Sequence, residues 1–248
     1  MKIFPDKQLT VKETWLASFW LYSKAFPRVW LPAIMMGIIA SILTWVNMRM
    51  VPLAKKAQVS TFKLSDITSN DVIYIFILLV LLLLMAYIGG VLLHRIYMVG
   101  KEQEATLQDS FVFVLKKYFQ FVCGVLLVFC ICLLGVFVLL LPGIFMFVLL
   151  IMVQPLILFD DKWCFAALKS SCKLVWGNWW HTFAVLCPLM VFNCAVGFGA
   201  QFILSYGCWW CGALASMLTV VLFYPLLYAC VLIQFGDLML RRHTRHKL

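Results

Sequence analysis

The chain has 248 residues, of which 65% are hydrophobic and 12% charged, against roughly 45–50% and about 25% in soluble domains. A chain of this length cannot hide so much apolar side chain from water. Composition therefore excludes a soluble globular protein, a disordered chain and a disulfide-stapled secreted scaffold. The remaining charges sum to +10, and this basic excess needs a position and a partner.

Six stretches are long and apolar enough for transmembrane helices. A helix needs about 20 apolar residues to cross a hydrocarbon core about 30 Å thick, because lipid offers the backbone no hydrogen-bond partners. The sequence therefore predicts an all-α integral membrane protein with a single transmembrane domain over residues 1–248. The predicted spans are Val29–Met48, Val72–Leu93, Phe119–Leu141, Gly143–Phe159, Thr182–Ser205 and Gly212–Phe235.

Prolines punctuate the second half of the chain. Pro142 and Gly143 separate the third and fourth spans, and this pair predicts a tight hairpin turn. The alternative is one kinked helix from Phe119 to Phe159, which would be about twice as long as a bilayer needs. Pro155 and Pro225 lie near the cytoplasmic halves of spans four and six. With Pro142, they are the predicted hinge or turn positions.

The basic residues are distributed unequally between the two ends of the predicted spans. With a cytoplasmic N-terminus, sixteen of the twenty Lys and Arg residues lie on the cytoplasmic side. By the positive-inside rule both termini are therefore expected in the cytoplasm, and the location is expected to be the bacterial inner membrane. The first 28 residues are too polar for a signal peptide, so no cleavage is expected. The four basic residues on the opposite side are Arg49, Lys55, Lys56 and Lys63.

Three connections on the cytoplasmic side are predicted to hold amphipathic interfacial helices. Thr10 to Glu13 and Thr106 to Asp109 have the capping-box spacing, and Asp160-Asp161 is the predicted cap of the third helix. In the second segment one helical face is apolar, and in the third the basic residues occupy one face and the apolar residues another. The apolar face of the second is Leu107, Phe111, Val114 and Tyr118; that of the third is Phe165, Leu168, Cys172 and Val175.

The same three segments can be aligned on Ser18, Ser110 and Ser171. Each serine has an apolar residue three positions before it and another three after, with an aromatic residue eight after. Each segment precedes two spans, so the chain can be divided into three degenerate repeats of an interfacial helix plus a hairpin: 1–98, 102–159 and 160–248. Chance agreement between amphipathic helices is the alternative interpretation.

A known family resembles the region from Leu141 to Trp179. The residues that carry the likeness are Leu141-Pro142-Gly143-Ile144, Pro155, Asp161-Lys162, Ala166, Ser170-Ser171, Lys173-Leu174 and Trp176-Gly177-Asn178. This pattern resembles the YciC-like family of bacterial inner-membrane proteins and, more loosely, the membrane domain found beside some glycerophosphodiester phosphodiesterases. The resemblance implies a fold and a location, and it implies no catalytic residue.

Signals for chemistry are weak. The predicted spans lack Asp, Glu, Lys, Arg and His; their polar residues include Asn47, Gln154, Asn193 and Gln201, which more often join helices than bind substrate. A nucleophilic group of Cys164, His181 and Asp160 or Asp161 is conceivable, but interfacial residues of these types usually meet headgroups and water. We expect no enzymatic activity, no metal site, no cofactor and no nucleic-acid partner.

A Cys208-Trp209-Trp210-Cys211 motif lies in the last short connection, on the predicted outer side. Two cysteines at this spacing can close a disulfide or exchange with a thiol. The redox alternative lacks the βαβ context of thioredoxin-like sites. A structural disulfide, or two packed thiols, is the favoured interpretation.

The third interfacial segment carries the most usable functional signal. Lys162, Lys169 and Lys173 are predicted to share a face beside Trp176 and Trp179, which suits contact with anionic lipid headgroups. Positive-inside topology alone would also place these lysines there. We therefore expect a non-enzymatic protein that binds anionic lipid or a membrane-protein partner, including a second copy of itself, in envelope maintenance, lipid handling or scaffolding. The alternative is a transporter or permease subunit for a neutral or amphiphilic solute.

Overall fold

The computed structural model describes residues 7–57, 69–138, 140–205 and 209–245. This part of the chain is almost wholly helical and contains no strand. Six of its stretches are long and apolar enough to cross a membrane, which confirms the predicted number. The helices are α1 (Val11–Ala57), α2 (Ser69–Gly100), α3 (Leu107–Val138), α4 (Leu140–Leu150), α5 (Val153–Phe159), α6 (Cys164–Val175), α7 (Trp179–Ser205) and α8 (Trp209–Arg245), with a 3₁₀ turn at Trp176–Asn178 between α6 and α7.

Capping boxes begin α1 and α3, as predicted. The Thr10 backbone N–H donates to Glu13 Oε2 over 2.8 Å, and the Glu13 N–H donates back to Thr10 Oγ1 over 3.4 Å. Thr106 and Asp109 make the same pair of bonds at 3.0 and 3.1 Å. Each box satisfies backbone donors that the first helical turn leaves without partners.

The amphipathic segments after these caps are not separate helices. α1 continues for 47 residues, about 70 Å at the α-helical rise, which is more than twice the thickness of a hydrocarbon core. α3 likewise runs from its cap through the predicted span without interruption. Its predicted inward face is confirmed, because Val114 is buried and Phe111 packs against the core. Among the three predicted segments, only α6 forms a helix of its own.

α1 lies antiparallel to α8 along most of its length. The Ser41 hydroxyl donates to the Ala213 carbonyl over 3.0 Å, and the Thr44 hydroxyl donates to Ser216 Oγ over 3.2 Å. Gly37 permits this close approach, because a Cβ there would lie 2.8 Å from the Val221 side chain. Small and hydroxyl-bearing residues are typical of helix contacts inside a membrane.

Two adjacent glycines bring α2 close to two other helices. A Cβ on Gly89 would lie 2.6 Å from the Tyr228 hydroxyl of α8, and one on Gly90 would lie 2.9 Å from Val114 of α3. Without a Cβ at either position, α2 can approach α8 on one side and α3 on the other.

α3 and α4 pack side by side, as the predicted hairpin requires, but the predicted position of the turn is wrong. α4 begins at Leu140, so Pro142 and Gly143 lie in its first turn. Proline is tolerated there because the first N–H groups of a helix have no intrahelical acceptor. Gly143 serves the packing of the helices, since its Cα would be 3.0 Å from a Cβ on Gly135. Residue 139, between the two helices, lies outside the described residues.

A buried carboxylate joins the beginning of the described chain to its end. Asp237 is fully buried and accepts from the Leu9 N–H over 2.8 Å and from Arg241 Nε over 2.7 Å. Arg241 Nη2 also donates to the Leu9 carbonyl over 2.6 Å. Leu9 and the last turns of α8 therefore lie at the same end of the helix bundle.

Candidate functional site: a tryptophan-lined cleft

The cleft depends first on an interruption between α4 and α5. α4 ends at Leu150, and Pro155 is the third residue of α5. Pro155 has no N–H to donate to the carbonyl four residues earlier, so the helix breaks just before it. The Ser171 hydroxyl of α6 donates over 2.6 Å to the carbonyl of Leu149, at the end of α4. This hydrogen bond gives a carbonyl at the end of α4 a donor and joins α6 to α4.

The turn before α6 differs from the predicted cap. Trp163 is the N-cap residue and makes no side-chain cap bond, so the predicted role of Asp160-Asp161 is wrong. Asp160 pairs with Lys162 at 2.6 Å, and Asp161 pairs with Lys117 of α3. Both carboxylates are held by lysine ammonium groups, which compete with the N–H groups of the helix.

The predicted inward face of α6 is confirmed except at one residue: Val175 is buried, and Leu168 and Cys172 pack against the core. Phe165, predicted to lie on the apolar face, is 72% exposed. Lys162 precedes the helix, so it does not share a helical face with Lys169 and Lys173, which are exposed. Ser171, which donates to α4, lies on the inward side of α6. The buried residues are Cys164, Ala167, Ser171, Leu174 and Val175.

An aromatic stack then fixes the beginning of α7 against α4. The Trp179 indole N–H donates to the Phe145 carbonyl over 3.4 Å. The Trp179 ring stacks on Phe145 at 5.3 Å and on Phe183 at 5.0 Å between ring centroids. Trp180 meets Trp179 edge to face at 4.8 Å. Arrangements of this kind stabilise aromatic pairs beyond their buried area.

These elements enclose an open cleft of about 1010 Å³ between the first turns of α4 and the beginning of α7. Trp176 and Trp180, which are 68% and 77% exposed, stand at its wall. Three of the predicted site residues, Pro142, Trp176 and Trp179, are brought together here. The lining residues are Leu141, Pro142, Ile144, Phe145, Trp176, Gly177, Asn178, Trp179, Trp180, His181 and Phe183.

A stripe of exposed side chains leads to this cleft. Lys169, Lys173, Trp176 and Trp180 follow one another at spacings of three or four residues, and all four are exposed. Lys169 and Lys173 are about one turn apart on α6, Trp176 follows in the 3₁₀ turn, and Trp180 is in the first turn of α7. The stripe therefore presents two ammonium groups followed by two indole rings at the cleft.

His181, which lines the cleft, contacts a buried residue that the sequence did not single out. The Gln234 amide nitrogen lies 3.2 Å from His181 Nδ1 and 3.1 Å from Thr182 Oγ1. Gln234 is fully buried in α8. Within the described part of the chain, His181 Nε2 and Gln234 Oε1 are buried without a hydrogen-bond partner. The signal was available, since Gln234 is a lone amide in an otherwise apolar run.

The catalytic arrangement considered from the sequence is not assembled. The Cys164 thiol donates to the Gln120 carbonyl over 3.1 Å, and His181 lies against Gln234. Asp160 and Asp161 are paired with lysines, as described above. No hydrogen bond among the described residues joins the three groups.

The remaining predicted positions have separate outcomes. α8 continues through Pro225 without a break. Pro155, in contrast, follows the interruption between α4 and α5. Of these two prolines, only Pro155 lies beside a break in a helix. Cys208 lies outside the described residues, and with it the Cys208–Cys211 pairing. Pro225 is not among the residues that line the cleft.

Comparison with family models, curated proteins and solved structures finds no match for this chain. The likeness of residues 141–179 to the YciC-like family therefore stays a prediction from the motifs.

Proposed function

We propose that this is a multi-pass protein of the bacterial inner membrane that holds an anionic phospholipid in the tryptophan-lined cleft, without converting it chemically. The six long apolar helices support insertion in a membrane. The contact of Leu9 with Asp237 and Arg241 supports both termini on one side. Sixteen of twenty basic residues on that side, by the predicted spans, favour the cytoplasm.

The cleft is the observation that carries the proposal. Its volume of about 1010 Å³ is at the upper end of ligand-site volumes, and its walls are mostly aromatic or aliphatic. Exposed tryptophans are favoured where a membrane meets water, because the indole is apolar with one polar N–H. An acyl chain fits the apolar walls, and Lys169 and Lys173 supply the charge that an anionic headgroup requires.

The size of the electrostatic contribution follows from general membrane physics. Each lysine near an anionic surface contributes about 1 kcal/mol before screening by salt. Two lysines therefore favour an anionic over a neutral headgroup by roughly tenfold or more. Lys162 is left out of this sum, because it is paired with Asp160.

The proposal includes the three-unit organisation of the chain. Ser18, Ser110 and Ser171, aligned from the sequence alone, are all fully buried. Their hydroxyls lie against α8, α2 and α4 respectively. In each case the contacted helix belongs to the second span of another unit. The second unit contacts the first, the third contacts the second, and the first contacts the third. That is the relation expected for three like units arranged in a ring, each amphipathic segment lying along the interface.

Native mass spectrometry with lipid counting tests the headgroup contact. We expect Lys169→Glu with Lys173→Glu to reduce co-purified phosphatidylglycerol and cardiolipin by about tenfold, while membrane insertion is unchanged. The matched control is Lys12→Glu with Lys116→Glu, two exposed lysines away from the cleft. Unchanged anionic lipid in the first variant, or equal losses in both, would contradict the proposal.

The apolar part of the site has its own matched pair. Trp180→Ala removes a wall of the cleft, whereas Trp163→Ala removes an exposed tryptophan outside it. We expect the first variant to lose bound lipid of every headgroup class and the second to retain it. Similar lipid counts in both would place lipid binding elsewhere.

Cysteine labelling tests the orientation. In a background without the ten native cysteines, a membrane-impermeant maleimide should label Lys56→Cys from outside the cell and should not label Arg245→Cys. The reverse pattern would overturn the cytoplasmic location of the termini.

A further inference from the structure

A second, polar cavity lies away from the tryptophan-lined cleft. It has a volume of about 290 Å³ and lies among α1, the end of α2 and the segment that leads into α3. Two arginines, Arg28 and Arg95, face it. The other lining residues are Met98, Val99, Gln103, Glu104, Ala105 and Thr106.

The position of Arg95 follows from a proline in α1. Pro32 has no N–H, so the carbonyl of Arg28, four residues earlier, receives no intrahelical hydrogen bond. Arg95 Nε donates to that carbonyl over 2.9 Å. One edge of the guanidinium is thereby fixed against α1, which holds the planar group in one orientation beside the Arg28 side chain.

One other nitrogen of the same guanidinium has no partner in the described part of the chain. Arg95 Nη1 is buried and has no hydrogen-bond partner among the described residues. A buried N–H donor of a charged group that lacks an acceptor is costly. Arg95 also lines the cavity beside a second guanidinium, that of Arg28, and two adjacent guanidinium groups are typical of a site for an anion.

The acidic residues nearby are engaged elsewhere or held weakly. Glu102 pairs with Lys24 at 3.1 Å, and this ammonium keeps the pKa of the Glu102 carboxyl below its ordinary value. Asp109 is occupied by its capping box with Thr106. Glu104 Oε1 is 3.9 Å from Arg28 Nη2, beyond hydrogen-bond distance, and its side chain is 93% exposed. Glu104 is the one acidic residue in the cavity lining, so the two arginines leave a net positive charge there.

We propose that Arg28 and Arg95 form a binding site for a phosphate group. The guanidinium fork matches two phosphate oxygens, and two such groups suit a phosphomonoester or phosphodiester. The first turn of α3 is already closed by its capping box, so the donors are the side chains and not the helix end. The cavity volume suits a small phosphorylated group. The group belongs either to a lipid headgroup or to a soluble phosphate compound, and this site does not depend on the tryptophan-lined cleft.

Binding is measured on the full chain, delipidated in a non-ionic detergent, in two arms. Isothermal titration calorimetry with inorganic phosphate tests a soluble ligand, and native mass spectrometry with added phosphatidylglycerol tests a headgroup. We expect Arg28→Gln to weaken binding by at least about tenfold in one arm or both, the loss of one charge-assisted hydrogen bond. Glu104→Gln should strengthen it, because the competing carboxylate is removed. Lys116→Gln is the matched loss of an exposed charge outside the cavity and should change nothing.

The two arms distinguish a soluble phosphate compound from a lipid headgroup as the ligand. An effect with phosphate assigns a soluble ligand, and an effect with phosphatidylglycerol alone assigns a lipid headgroup. Absence of binding in both arms for the unmodified chain overturns the proposal, as do equal affinities for Arg28→Gln and the unmodified chain. Arg28 is chosen over Arg95 because its half-exposed side chain is not needed to satisfy the α1 backbone. Lys169→Glu with Lys173→Glu should leave phosphate binding intact, which separates this site from the cleft.

Discussion

α7 and α8 are similar in length and composition but have different surroundings. Both are long, apolar and contain a proline. About 44% of the apolar stretch of α8 is buried inside the bundle, against 17% for the stretch that contains α7. Pro225 of α8 is buried, whereas Pro188 of α7 is exposed. Apolarity therefore predicts that a helix belongs in lipid, but not whether its neighbour is lipid or another helix.

Small and polar residues make the difference between these two helices. α8 packs closely against Gly37 of α1 and accepts hydrogen bonds from the hydroxyls of Ser41 and Thr44 of that helix. On α7, Gly199 has no atom within 4 Å of the position of a Cβ, and Phe198 is 78% exposed. Without a hydrophobic drive between helices in lipid, close packing and hydrogen bonds select the interior.

The largest effect is expected at the buried end of α8. Asp237→Ala removes the acceptor of the Leu9 N–H and leaves Arg241 without its carboxylate, and breaking a buried pair in this way costs about 3–5 kcal/mol. Chemical unfolding in detergent micelles should show this loss, while Arg242→Ala, at an exposed neighbouring arginine, should fall within about 0.5 kcal/mol of the unmodified chain. Equal stability of the two variants would show that Asp237 does not hold α8 in the interior.

A pair of glycine substitutions compares the two helices directly. Gly37→Leu should destabilise the bundle by about 1–3 kcal/mol, because the new side chain meets Val221 and the Met217 carbonyl. Gly199→Leu adds the same side chain to the open face of α7 and should be neutral or slightly stabilising, since leucine favours helix more than glycine does. The measurement is the shift in apparent melting temperature in one detergent. A loss at Gly199 as large as that at Gly37 would mean that α7 has a protein neighbour.

An effect smaller than that of Asp237→Ala is expected where the Ser171 hydroxyl of α6 binds the end of α4. Ser171→Ala leaves the buried Leu149 carbonyl without its donor and should cost about 1–3 kcal/mol. Ser170→Ala changes the adjacent, partly exposed serine and is the matched control. Hydrogen exchange of α4 and α6 should rise in the first variant only. Unchanged exchange in Ser171→Ala would contradict the role of this hydroxyl.

Composition and local motifs predict the features that depend on neighbouring residues in the chain. The six apolar stretches follow from runs of side chains too apolar for water, and the capping boxes follow from residues three apart. The Ser18, Ser110 and Ser171 alignment also selected three buried serines. These features need no knowledge of distant contacts.

The features that sequence missed depend on residues far apart in the chain. Asp161 fails as a cap because Lys117, from another helix, binds it. Phe165 is exposed, while Ser171 of the same helix is buried against α4. The cleft itself requires Trp179 to meet Phe145, 34 residues earlier. Periodicity along one helix contains no information on such contacts.

The most direct test of the account is an electron cryomicroscopy structure of the chain in nanodiscs that contain phosphatidylglycerol. We predict an acyl chain in the cleft, against Trp176 and Trp180, with its headgroup beside Lys173. Ordered lipid elsewhere around the helices together with a cleft that is empty, or closed by its own side chains, would contradict the central claim.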